Sequence, residues 1–503
     1  MTTNRRSFLT ATAAGVGAFA LGAGKAGAAS REAASGDVWG VTVDSRVITP
    51  SDERVPDTGN DFMSGYGVDR RAATGTELEL WIRCLILWDN GTPNVMVTAD
   101  VHSFSAEMHD QIRAGLAEVG IGGGDFVIAG THTHCGPTLS DPPHSGILQG
   151  LTPEDRECVQ AYSDWLVGEV VDFVKYNLEQ TPVQCTLDYD FATTAFAGNR
   201  EGLPDVDHAV PVLTARQTDN GDVVAILFGY ACHPVARNLS DKYNSDFPGK
   251  AVELLQERYP VATALYLTGA AGDQNPVDSG PGVEERFGQQ LADAVASIVD
   301  NGGTPVTGPL ITDYRLAHLD FDLDQVSRPQ LRQLYQRRVN GQLDPANSDP
   351  TALLVAQRHA RWMLEQIDGD TVPTEVELTL HLWTFNPDNP IRILAMGGEP
   401  VVGYSLGYKE EFGGSERLWV AGYAGHVPGY IPTNHYLTDK PGYPSGYNAD
   451  RPEVAGIGTA APAYTYPCRL RVGIEEKIDT VVRTMVDGSK PDGLVTRSQT
   501  RRR

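Results

Sequence analysis

Apolar and polar residues alternate along DVWGVTVDS (37–45), the period of a strand with one covered face. ELELWIRCLIL (77–87) and NVMVTAD (94–100) flank the turn DNGTP, which predicts a hairpin. The period then changes. In SAEMHDQIRAGLAEVG (105–120), Met108, Ile112, Leu116 and Val119 recur at helical spacing, Ser105 is suited to cap the first turn, and a glycine run ends the helix. DFVIAG (125–130) follows as a short buried strand and completes a strand, helix, strand unit.

The same order returns. DVVAILFGYA predicts a strand, PGKAVELLQERY a helix, ATALYLTG a strand, and VEERFGQQLADAVASIVDN a helix with Phe287, Leu291, Val295 and Ile298 on its inner face. From about 324 to 369 the Gln, Arg and Leu content predicts two helices around a Pro/Asn/Asp turn, a candidate insertion. EVELTLHLWTF, IRILAMGG and RLWVAGYAG restore strand character, a Gly/Pro/Tyr-rich loop is expected from His426 to Tyr466, and RVGIEEKIDTVVRTMV predicts a last helix. No internal repeat or low-complexity tract is visible. Strands alternating with helices define an α/β class, with a layered, mixed and partly parallel sheet flanked by helices.

At 503 residues and 41% hydrophobic content the chain can bury a large core. NRRSFL, the apolar run Ala11–Gly24, Lys25 and the small residues AGAA form a twin-arginine export signal over 1–29, with cleavage expected near Ala28 or Ala29. The apolar run is shorter than the ~20 residues of a spanning helix, so stable membrane insertion is not expected. A single catalytic domain over 30–490 and a frayed tail over 491–503 follow, with the mature protein extracellular, periplasmic or associated with the cell surface. The formal charge is −25, and losing Arg5, Arg6 and Lys25 takes it to −28. Such a surface repels nucleic acid and anionic membranes.

Six cysteines without a CxxC pair give no support to a zinc-finger or thioredoxin reading. Cys135 and Cys232 each neighbour a candidate ligand; a bridge between them and two separate buried thiols are both open. The candidates themselves sit at the ends of predicted strands: His132 and His134 in THTHCGP, His233 in GYACHPV, Glu399 in AMGGEPV, and Tyr430 in GHVPGYIPTNHY. Ligands of open α/β sheets gather at carboxyl strand ends. In extended chain, His132 and His134 would face opposite sides unless the loop twists. Imidazole and carboxylate are good zinc donors, whereas a tyrosine ligand needs its pKa depressed. Taken singly, each of these residues is as compatible with a packing or surface role, and His102, His144, His208, His426 and His435 are competing donors.

With these residues in place the chain resembles the neutral (alkaline, non-lysosomal) ceramidase family, in its amino-terminal catalytic domain, from about Val41 to Gly488. VITP and GYGVDRR match its opening, THTHCGP its HTHSGP, FAGNRE its Asn-Arg segment, and GYACHPV with NSDFPG its second histidine region; GAAGDQNP, AMGGEP and GYIPT follow in order. The resemblance implies zinc bound by His132, His233, Glu399 and Tyr430, with His134, Arg200 and Asp273 assisting catalysis and Arg200 and Asn275 contacting substrate. It implies hydrolysis of an amide-linked, N-acyl or lipid-like small molecule by zinc-activated water. Asp246 and Asp273 would orient the site, or serve as a salt bridge or helix cap. A zinc esterase or lactonase, and a non-catalytic secreted binding protein, are the alternatives.

Three departures shape that expectation. Asn275 in GDQNP stands where the family has a serine, and an amide cannot act as an acyl-accepting nucleophile. The chain ends soon after its last predicted helix, without the family's immunoglobulin-like domain, which argues against work at a membrane. Gly398 replaces, or shifts, the proline before the family's glycine–glutamate step. Hydrolysis by water thus survives the comparison better than ceramide as substrate.

Overall fold

The computed structural model describes residues 37–51, 61–66, 70–140, 150–324, 326–342, 350–438 and 466–488. The export signal, His144, the tail and most of the expected loop before Tyr466 lie outside them. A nine-stranded mixed sheet contains Trp39–Val47 (β1), Trp81–Asp89 (β2), Thr92–Ala99 (β3), Phe126–Gly130 (β4), Val183–Thr193 (β5), Ala209–Gln217 (β7), Val223–Tyr230 (β8) and Thr263–Thr268 (β9). Their order is β4-β3-β2-β1-β5-β7-β8-β9, and Thr304–Val306 (β11) pairs with β5. Ala197–Asn199 (β6) pairs separately with Gln274–Pro276 (β10). A second sheet runs Leu310–Asp320 (β12), Glu375–Phe385 (β13), Ile391–Met396 (β14) and Leu418–Ala421 (β16). The short strands Glu399–Pro400 (β15) and Tyr430–Ile431 (β17) pair in parallel.

The two sheets pack face to face between helical layers. Ala106–Ala117 (α1) and Pro153–Leu178 (α2) cover one half of the large sheet, where Ile82, Cys84, Ile86 and Val97 meet Ile112, Leu166 and Val170. Asp246–Arg258 (α3) and Val283–Asn301 (α4) cover the other half through Phe247, Phe287 and Leu291. The alternate residues Leu85, Leu87, Met96, Leu213 and Leu227 point the other way, onto Trp383, Ile393 and Trp419 of the second sheet. That sheet's outer face carries Val402–Phe412 (α7) and Ile474–Val486 (α9). Strands buried on both faces read as near-continuous apolar runs, as in IRCLIL and VAILF. Between β12 and β13, Arg328–Val339 (α5) and Pro350–Gly369 (α6) close a small core of Leu331, Tyr335, Ala360 and Met363. The one-turn helix Asn434–Leu437 (α8) precedes α9.

Ser105 caps α1 as expected, accepting from Met108 N at 3.2 Å. The helix stops at Ala117, so Val119 falls beyond it and is 45% exposed instead of facing the core.

The structure also holds a repeat that the sequence conceals. An antiparallel hairpin, a helix and a strand parallel to the hairpin's second strand occur three times: β2-β3-α1-β4, β7-β8-α3-β9 and β13-β14-α7-β16. The first two copies sit as mirror halves of the strand order in the large sheet, and the third builds the second sheet. Only the architecture repeats, because many apolar sequences satisfy one strand pattern.

Helix α1 is tied to the second sheet by a buried group of imidazoles. His109 lies 6.5 Å from His381 and 6.2 Å from His426 between ring centroids, with Tyr314 and Arg113 alongside. Both ring nitrogens of His381 are buried without a partner. Burial, then the charge of Arg113, lowers the His109 pKa to about 3, and burial followed by His109 holds His381 well below its ordinary value. The unfolded chain takes up these protons below about pH 6.5, whereas the folded one does not until far lower. The contribution of these two groups to stability is therefore complete above about pH 6.5 and falls as pH drops from there towards 3. His381→Phe is expected to flatten that loss, read as a smaller drop in urea midpoint between about pH 7.5 and pH 5 than the parent shows.

Candidate metal centre

Each of the three architectural units delivers side chains to one point. Three residues past Ala99, Tyr230 and Met396, the last residues of β3, β8 and β14, come His102, His233 and Glu399. Two residues past Gly130 and Ala421, which end β4 and β16, come His132 and Tyr423. Cross-links hold the strand ends together: Gly130 N donates to Tyr423 O at 3.3 Å, Gly422 N to Thr268 O at 2.8 Å, and the Thr268 hydroxyl to Thr131 O at 2.8 Å.

His132, His233 and Glu399 are sealed from solvent, at 0, 1 and 0% exposure. His132 Nδ1 is 2.8 Å from His102 O, and His233 Nδ1 is 2.7 Å from Ala271 O. A carbonyl only accepts, so each Nδ1 carries the proton and each Nε2 presents a lone pair. Those Nε2 atoms are 3.2 Å apart, and Glu399 Oε2 lies 3.3 Å from the first and 3.1 Å from the second. Donors about 2.0–2.1 Å from a tetrahedral zinc stand about 3.3–3.4 Å from each other. Lone pairs converging at that spacing repel unless a cation lies between them, so the donor set fits a metal. Without a metal, a proton on Nε2 takes the cation's place: burial pushes the Glu399 carboxyl up, but the charge and hydrogen bonds of His132 and His233 in that form outweigh it and hold the group well below the usual carboxylate range. Burial lowers the His233 pKa against the pull of Glu399.

His132 has φ +65°, a left-handed conformation uncommon outside glycine. That twist is why His134 does not face away as extended chain would have it. Its Nε2 comes within 3.3 Å of His132 Nε2, while its Nδ1 is buried and unpartnered. Burial, then His102, drives its pKa well down. Tyr66 stands edge-on at 5.0 Å, and Arg71 donates to the His134 carbonyl.

Tyr430 on β17 lies opposite Glu399 on β15. Its phenol is pushed up to about 12 by burial and Glu399, with Arg200 pulling the other way from 5.1 Å above the ring. Arg200 follows β6, its N–H donating to Asp273 O at 2.9 Å. Asp273 is spent on structure: its carboxylate accepts from Val402 N in the first turn of α7 (2.8 Å), Tyr436 Oη (2.9 Å), Asn199 Nδ2 (3.0 Å) and Gln274 Nε2 (3.0 Å). Asp246 likewise opens α3 and accepts the amides of Ala236 and Arg237, fixing the loop after His233. On β10, His233 N donates to Gln274 O at 2.9 Å, and the next residue, Asn275, keeps a buried Oδ1 with no partner.

Of the competing donors, His102 joins the cluster, its ring 4.0 Å from that of His132. His426 belongs to the group behind α1, and His208 and His435 are exposed. Cys135 and Cys232 are free buried thiols, which removes the bridge. Tyr423 was not marked by any motif. It is fully buried at φ +58°, its ring 4.2 Å from that of His132 and its hydroxyl 3.5 Å from Glu399 Oε2. Only its offset from the strand end, shared with His132, could have drawn attention to it.

Gly398 has a physical reason to depart from proline. Its φ of +66° is closed to a ring locked near −65°, and any Cβ there would meet Ile431 Cγ1 at 2.4 Å. Gly398→Ala is expected to cost about 1–3 kcal/mol in urea unfolding and to lower metal content by displacing Glu399 next to it.

No protein family and no curated protein matches the chain by sequence, whereas solved structures do. The neutral ceramidase of Pseudomonas aeruginosa aligns with TM-score 0.60 at 16% identity, over 90% of this chain and 75% of that one. A ceramidase complexed with C2 aligns with TM-score 0.59 at 14% identity, over 90% and 77%. The chain has a ceramidase-like fold, at an identity that speaks for the fold alone.

Proposed function

We propose that the chain is an exported zinc hydrolase acting on an amide-linked acyl substrate, with His132, His233, Glu399 and Tyr430 holding the metal. The observation that carries this is the convergence of two imidazole lone pairs and a carboxylate at ligand spacing inside a ceramidase-like fold. Zinc so held supplies Lewis acidity to an acyl carbonyl and lowers the pKa of water towards neutrality. His134, whose Nε2 faces the centre 3.3 Å from that of His132, takes a proton from the attacking water and returns it to the leaving amine. Arg200 binds the polar end of the substrate. The orphan carbonyl of Asn275 suits a substrate N–H or O–H donor, since an unmet buried acceptor costs about 1–3 kcal/mol. Asp273 acts as a positioning residue, because its oxygens are already engaged.

Export rests on the NRRSFL signal. No helix among the described residues is long and apolar enough to cross a membrane. Protein purified without added zinc is expected to contain one tightly held equivalent and to hydrolyse members of a panel of ceramides, N-acyl amino acids and simple acyl esters, the amides foremost. Metal-free protein inert on the whole panel would leave only a binding role for the fold.

A further inference from the structure

Two members of the repeated offset, His233 and Glu399, belong to the metal triad; the third, His102, does not. Yet the donor atoms of His102, His132 and His134 also lie within 4.8 Å of one another. The His102 ring is 4.0 Å from that of His132 and 5.0 Å from that of His134, and its Nδ1 is 3.1 Å from Ser103 Oγ. The two triads share His132, whose Nδ1 is committed to the His102 carbonyl. One remaining lone pair serves one ion, and the carboxylate makes the Glu399 side the stronger claimant. His102 and His134 are then left as adjacent imidazole donors outside the first centre.

We propose that His102 and His134 hold a second divalent cation beside the first, and hold it more weakly. The inference rests on the metal-site reading above. Its weakness follows from the donor set: two imidazoles without a carboxylate, next to an ion already bound and to Arg71, which donates to the His134 carbonyl. Filling this position ties up His134 and withdraws it from proton transfer, so zinc in excess of one equivalent slows the enzyme.

The test is a calorimetric titration of chelator-stripped protein with zinc. The wild type is expected to bind two equivalents, the second at least about tenfold more weakly. His102→Phe, which keeps a ring against His132, binds one equivalent with the first affinity retained, and its rate no longer falls with excess zinc. His102→Ala serves if circular dichroism shows the Phe variant misfolded. A wild type saturating at one equivalent, or a His102 variant still binding two, overturns the proposal while leaving the first site standing. Failure of the wild type to bind any zinc overturns both.

Discussion

His132→Ala or His233→Ala is expected to empty the metal centre, lowering zinc affinity by about 100-fold or more. Each imidazole is buried, locked in one tautomer by a carbonyl, and aimed with its lone pair at the other and at Glu399. Loss of even an orienting partner costs metal sites about 10–100-fold, and loss of a ligand costs at least that. Without metal, a proton on Nε2 is what lets either ring hold the buried Glu399 ionised, so removing one ring leaves that carboxylate a single partner, and the metal-free variants should be less stable than the metal-free parent. Elemental analysis of protein purified without added zinc, with circular dichroism to confirm folding, reads the first effect. Zinc content equal to the parent's would remove these residues from the ligand set.

His134→Ala, in contrast, is expected to keep the tight equivalent of zinc and lose about 10²–10⁴-fold in rate, the range of one positioned proton-transfer group. His134 neighbours His132 at 3.3 Å, but it stands outside the His132, His233 and Glu399 group. The loss should appear in kcat, because the ring is assigned to the transition state and not to substrate affinity. If the variant loses its tight zinc along with activity, His134 is a ligand and Tyr430 is the residue to reconsider.

Much of the scaffold was legible because strands buried on both faces leave long apolar runs and α1 carries its cap and stripe in one window. The THTH and GYACHP segments were legible because histidines at strand ends are conspicuous. Val119 was misplaced because helix ends depend on one or two residues. Tyr423 escaped because a tyrosine between Gly422 and Ala424 has no signature; its role exists only through contact with His132 and Glu399, which come from other units. The pairing of Cys135 and Cys232 could not be read from spacing, since a disulfide is decided by distance in space.

By itself, the sequence determined the alternation of strands and helices, the residues available as donors and the absence of a serine at Asn275, because these follow from local period and side-chain chemistry. The tertiary structure decided which donors meet. Three units of like architecture, cross-linked at their strand ends, bring residues from 102 to 423 to one place, and the left-handed turn at His132 swings His134 towards the cluster instead of away. A metal centre requires lone pairs converging within a few ångströms, and that convergence is set by packing between distant segments, which no local pattern encodes.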